Sequence, residues 1–155
     1  KRADAPLAIA MFGGMMGDDE ADLKKARNMA LIAGVIFGIG WWVYIDGAAW
    51  GSAQNDPVAD KAAGYHWLPG LGVTIAFVMI NGMRWQELSD ENPSVATRAR
   101  CFLISALVIA LACISVSLFI MVEVFINDDT LATWTGISVF IQCLLIFVAA
   151  FVMRA

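Results

Sequence analysis

Four side chains near the ends of long apolar stretches have types that do chemistry: Asp46, Lys61, His66 and Glu123. Two carboxylates beside a cation and an imidazole are the raw material of an ion or proton site. Asp46 closes the stretch "GVIFGIGWWVYIDGAAW", Gly34 to Trp50, where a charge beside so much apolar sequence is expensive. Counted along a helix from Asn28, Asp46 stands about 27 Å up, which is the far membrane interface and not the midplane. Glu123, counted from Arg100, reaches a similar level, and Lys61 and His66 fall on the same side. The four residues are therefore expected to form an interfacial polar cluster. A carboxylate at a helix C-terminus meets the negative end of the macrodipole and needs compensation. The candidates are Lys61, His66, the indole N–H of Trp42, or free N–H groups at the start of the second helix. The reading favoured by the interfacial level is a structural pin tying the first helix to the outer loop. The alternative is a small ion- or proton-coupled transporter using Asp46 and Glu123. Transporters hold their charged groups near the midplane, where this chain offers only Gln142.

Other chemistries find little support. His66 is the single histidine, and a zinc site needs three or four such ligands. The three cysteines, Cys101, Cys113 and Cys143, fall in apolar runs and read as packing residues, with Cys101 beside Arg100 placed for acylation. "GGMMG" lacks the lysine of a phosphate-binding loop. No catalytic residue, metal, cofactor or nucleic-acid partner is expected; bound membrane lipids are.

The elements that must position these residues are membrane helices. Of 155 residues, 60% are hydrophobic and 15% are charged, against roughly a quarter charged in soluble domains. The apolar residues concentrate in four runs, Met29–Ile45, Trp67–Met83, Cys101–Ile126 and Leu131–Met153. Each approaches the ~20 helical residues that cross a bilayer, and none alternates with a period of two. The sequence thus predicts an all-α membrane protein with four transmembrane helices. Nine of ten basic residues fall on one side: Lys1, Arg2, Lys24, Lys25, Arg27, Arg84, Arg98, Arg100 and Arg154. The positive-inside rule puts both termini on that side.

Residues 1–27 read as an N-terminal arm, interfacial or partner-docking, ahead of a single four-helix domain over 28–153. Within the arm "GDDEADLKKAR" reads as a helix start with Asp18 or Asp19 as cap. The chain begins with Lys1 and not methionine, so a leading segment is expected either to have been removed or to lie outside the given sequence, and the compartment is not read from it. In the first membrane helix Ala30, Gly34 and Gly38 share a face with Trp41, a small-residue stripe suited to helix packing. Pro69 fits the first turn of the second helix. Asn81 falls towards that helix's inner end, and Gln142 in the fourth helix reads as a hydrogen bond to a neighbour. Ser94 reads as the cap of the third helix, and Thr130 or Asp129 as that of the fourth. Trp41, Trp42, Tyr44, Trp50, Tyr65, Trp67 and Trp85 crowd the expected interfaces as an aromatic belt.

Several segments in order resemble one family. "GIGWWVYIDGA" is similar to the first-helix signature of the transmembrane protein 50 family, which includes the fungal vacuolar protein sorting protein 68. That signature is a small-residue helix, an aromatic pair, then a lone Asp before small residues. "ATRARCFLISALVIA" resembles the family's entry to helix three. "TIAFVMING" and "GISVFIQCLLIF" resemble its second and fourth helices, with Asn81 and Gln142 standing where the family has Asn and Gln. The resemblance covers about residues 28–153. Residues 1–27 do not share it, Cys143 stands where members often have Asn, and Glu123 has no counterpart. It implies a small multi-pass protein without catalytic activity, working in endosome-to-vacuole or Golgi traffic beside another small membrane protein. The residues alone support a scaffold or accessory subunit that binds other integral membrane proteins in a hetero-oligomeric complex. Its expected site is an endosomal, Golgi or vacuolar membrane by resemblance, or an organellar inner or thylakoid membrane if it is an accessory subunit.

Overall fold

The computed structural model describes residues 5–53, 65–84, 86, 88, 91–126 and 133–154, with side chains in the first helix from Glu20 onward. Lys61, Trp85, Asp129 and Thr130 lie outside the described residues. The described residues form helices α1 (Ala5–Ala53), α2 (Leu68–Gly82), α3 (Pro93–Phe119) and α4 (Thr133–Val152), and α3 continues as a π-helical segment, Ile120–Ile126. No strand occurs among them. Three helices are long and apolar enough to cross a membrane, and α2 is a shorter apolar helix.

α1 departs most from expectation. It does not start at Asp18 or Asp19 but runs unbroken from Ala5, so the arm and the first span share one helix. At 1.5 Å per residue its 49 residues extend about 74 Å, far beyond a ~30 Å hydrocarbon core. The reason is local. Ala5–Met16 is rich in alanine, leucine and methionine with Pro6 confined to the first turn, and the charges that follow are spaced to support a helix. Lys24 pairs with Glu20 one turn before it at 2.7 Å.

α2 has 15 residues, about 22 Å, and carries Pro69 in its first turn. The turn before it, Tyr65–Trp67, tucks His66 into the protein. α3 is capped by Asn92 in place of Ser94. The Asn92 Oδ1 accepts from the Ser94 backbone N–H at 3.2 Å and from its hydroxyl at 2.8 Å. Asn92 precedes Pro93, which holds it in the extended conformation that a cap needs. The third helix was expected to stay regular to Ile126. Its last turns instead widen, and that turns Phe125 fully inward.

α4 is the hub. It touches α1, α2, α3 and the π segment, and α1–α4 is the most extensive contact in the bundle. Half of α4's most apolar stretch is buried, against 11% in α1 and 17% in α3, so α4 is the axis on which the others lean. Three clusters descend along it. Phe125 lies at the far end with Ile120 and Val124. Val73, Cys143 and Ile146 lie in the middle, and Ile80, Ala106 and Ala150 at the basic end.

Lipid tails are as apolar as leucine, so helices in a bilayer associate through close packing and hydrogen bonds. α1 meets α4 through Ala33, Gly40 and Gly47, all buried and seven residues apart. A Cβ on Gly40 would sit 3.3 Å from Ile146 and 3.4 Å from the Gln142 carbonyl. One on Gly47 would collide with Ser138, whose own Cβ would be 2.5 Å away. At Gly34 and Gly38 an added Cβ meets nothing within 4 Å. Gly47→Ala should therefore destabilise the bundle by about 1–3 kcal/mol through overpacking. Gly34→Ala should stay within about 0.5 kcal/mol of wild type. Thermal unfolding of the two variants in detergent micelles checks the difference.

Candidate functional site

At the far end of the bundle Asp46 is held from α4. Trp134 Nε1–H donates to the Asp46 Oδ2 at 2.9 Å. One residue on, the buried Thr135 hydroxyl donates to the Gly47 carbonyl at 2.9 Å. Together the two bonds tie the C-terminal part of α1 to the first turn of α4. The compensation expected from His66, Trp42 or the start of α2 is not what holds Asp46. The indole comes from α4, and the signal for it was a tryptophan opening an apolar helix with an N–H in need of an acceptor.

His66 is buried, 5% exposed, and lies edge-on to Phe125 and Tyr65 with ring centroids 5.4 and 5.3 Å away. Its Nδ1 has no hydrogen-bond partner among the described residues. The π segment places Phe125 against it, and the same turn needs Gly136, where a Cβ would come 2.6 Å from that of Phe125. Glu123 sits on the exposed side of the π segment. Asp46 is thus engaged by Trp134 and His66 by aromatic rings, while Lys61 lies outside the described residues. No group of three or more histidine, cysteine or acidic side chains gathers among the described residues. The three cysteines are free.

Deeper in the bundle, Gln142 is fully buried. It was expected to hydrogen-bond a neighbouring helix. Neither amide atom has a partner among the described residues. The amide instead lies over Gly70 in the first turns of α2, its three terminal atoms 2.5–2.6 Å from where a Cβ would be. A larger residue at position 70 would have to displace the amide. Asn81 bonds within its own helix, its Nδ2 donating to the Phe77 carbonyl at 2.9 Å. The brace at this basic end is Arg154, which sequence reasoning counted only as a topology charge. One of its terminal nitrogens donates to the carbonyls of Ile80, Asn81 and Met83 at 3.0, 2.7 and 2.8 Å. The C-terminal end of α4 thereby caps the carbonyl end of α2.

The Ala30, Gly34 and Gly38 stripe is not used inside the bundle. Ala30 and Gly34 are exposed, and Gly38 is half-buried with open space at its Cβ position. At 100° per residue it lies roughly 120° around α1 from the Ala33, Gly40 and Gly47 stripe that packs on α4. α1 thus carries two small-residue faces, one filled by α4 and one turned outward.

The sequence pattern described as "Uncharacterised protein family (UPF0220)" matches residues 19–155. The chain belongs to this family, that of the transmembrane protein 50 proteins. It is 31% identical over 133 residues to the protein named "Transmembrane protein 50 homolog" of Dictyostelium discoideum, covering 80% of this chain and 85% of that one. No solved structure matches it. The family match starts at residue 19, inside the segment read as the arm, and α1 is continuous through that point. The transmembrane protein 50 signature "GIGWWVYIDGA" maps onto the α1–α4 junction: Gly40 and Gly47 pack on α4, and Asp46 binds Trp134.

Trp134→Phe keeps the ring and removes the N–H, so it should lower stability by about 1 kcal/mol, while Asp46→Asn, which keeps an acceptor, should lower it less. A double-mutant cycle on unfolding in micelles should show the two changes coupled. His66 gives a pH test. Burial pushes its imidazole below the usual 6.5. The unfolded chain takes up a proton near pH 6.5 and the folded protein only at lower pH. This contribution is intact above about pH 6.5 and is lost as pH falls towards the folded value, by at most about 1.4 kcal/mol per unit. Melting temperature followed from pH 7.5 to 5 should fall in the wild type and fall less in His66→Phe.

Proposed function

We propose that this integral membrane protein acts without catalysis, as a scaffold or accessory subunit that binds other integral membrane proteins through the outward face of α1. The observation that carries this reading is the second small-residue stripe, Ala30, Gly34 and Gly38, which the bundle leaves open while an equivalent stripe seats α4. Small residues at that spacing admit a helix backbone to close range, a property of no use to a face that meets only lipid tails. The length of α1 supports the same reading, because it carries its helix well past the span. Family membership favours sorting on endosomal, Golgi or vacuolar membranes. An accessory role inside a large complex of an organellar membrane uses the same contacts. The transporter alternative needs Asp46 and Glu123 to act together, whereas Asp46 is held by Trp134 as a structural pin.

Native gel electrophoresis of mildly solubilised membranes tests the reading. Wild type should migrate with a larger assembly. The double variant Gly34→Leu/Gly38→Leu should lose at least half of that co-migration while its isolated thermal stability stays near wild type. Migration of the wild type as a free monomer would refute the proposal. Uptake of an ion by reconstituted vesicles that vanishes with Asp46→Asn would establish the transporter.

A further inference from the structure

At the basic end a cavity of 520 Å³ opens between the last turn of α2 and the first turns of α3. Arg84 and Arg98 stand at it, both exposed. Gly82, Met83, Ala99 and Phe102 line the rest. Neither arginine has an acidic partner among the described residues, whose ion pair is Glu20 with Lys24 on α1. Two neighbouring arginines, Arg100 and Arg154, are committed to the fold. Arg100 donates to the Leu88 carbonyl at 3.2 Å, and Arg154 occupies the carbonyl end of α2.

That capping matters for what the cavity can hold. The end of α2 forms one wall, and bare carbonyls there would repel an anion. With three of them taken up by a guanidinium, the wall no longer opposes negative charge. Two exposed guanidinium groups without an acidic partner among the described residues can fork onto one acceptor and suit a phosphate. The cavity is also graded in depth. Phe102 follows Arg98 by one helical turn on the same face of α3 and lies nearer the bilayer centre. α3 with its π segment has 34 residues, about 51 Å, so its first turns stand at headgroup level. A cationic rim over an aromatic floor matches a headgroup phosphate with an acyl chain beneath it. At Gly82, on the lining, a Cβ would meet nothing within 4 Å, so a larger side chain can be placed there without a clash at its root.

We propose that this cavity binds the phosphate of an anionic phospholipid from the leaflet on the basic side, with Arg84 and Arg98 on the phosphate and the acyl chain along Phe102. The site is separate from the α1 face and does not depend on it.

The test uses the full chain in nanodiscs of phosphatidylcholine doped with phosphatidic acid, with the retained lipid measured by native mass spectrometry after gentle release. Wild type should retain phosphatidic acid over phosphatidylcholine by about tenfold, in line with two basic residues at an anionic headgroup. Arg84→Gln/Arg98→Gln should abolish the preference. Gly82→Leu fills the cavity and leaves every charge in place, and it should abolish it too. Lys24→Gln/Lys25→Gln removes as much charge from α1 and should leave it intact. An unchanged preference in the arginine variant would overturn the proposal, as would an equal loss in the lysine variant. Displacement of the lipid by millimolar inorganic phosphate would likewise overturn it, by showing a free-anion site.

Discussion

The close approach of α1 to α4 is the constraint on which the rest of the structure depends. A bilayer offers helices no hydrophobic reason to meet, so contact must come from shape and from hydrogen bonds. α1 supplies shape through Ala33, Gly40 and Gly47, and α4 answers with Ser138, the Gln142 backbone and Ile146. The two bonds at the far end, Trp134 to Asp46 and Thr135 to the Gly47 carbonyl, fix the register. α4 can serve as the hub because its buried face is itself small or compact: Gly136, Ser138, Cys143, Ala149 and Ala150 let several helices crowd one axis. Gly70 of α2 makes the same concession to Gln142.

Once α4 is central, the polar groups sort by end. At the far end they are pins: Asp46 is held by an indole, and His66 is packed among aromatic rings. At the basic end Arg154 closes the carbonyls of α2, and Arg100 braces the loop that leads to α3. What this leaves unspent is informative. The outward stripe of α1 and the pair Arg84 and Arg98 serve no internal purpose that the described structure shows, and each suits a different component of a membrane, another helix in the first case and an anionic headgroup in the second.

Much of this was legible in the sequence. Four apolar runs gave four helices, because length and hydropathy are read against a bilayer of fixed thickness. Helical rise from Asn28 read Asp46 as an interfacial residue at a helix C-terminus; α1 instead runs seven residues further, to Ala53, and Asp46 lies where it meets the first turn of α4. Other features depend on partners distant in the chain. The Trp134 to Asp46 bond joins residues 88 apart, and the Arg154 bonds span more than 70, so no local pattern announces either. The stripe Gly34-x-x-x-Gly38 drew attention by its four-residue spacing, but the bundle uses the seven-residue spacing Ala33, Gly40 and Gly47, and only the position of α4 chooses between them. The π segment follows from a packing demand, the insertion of Phe125 against Gly136 and His66, and carries no periodic mark of its own. α1 ran through its expected start, and the charges just after that point pair along the helix, Lys24 with Glu20.

The central claim is that the free face of α1 meets protein. The direct measurement is photo-crosslinking in native membranes, with a diazirine side chain in place of Leu31, an exposed residue beside the Gly34 stripe, and a control in place of the equally exposed Val108 on α3. The account predicts a discrete adduct of higher mass from position 31 and lipid adducts alone from position 108. Lipid adducts alone from both positions would contradict it.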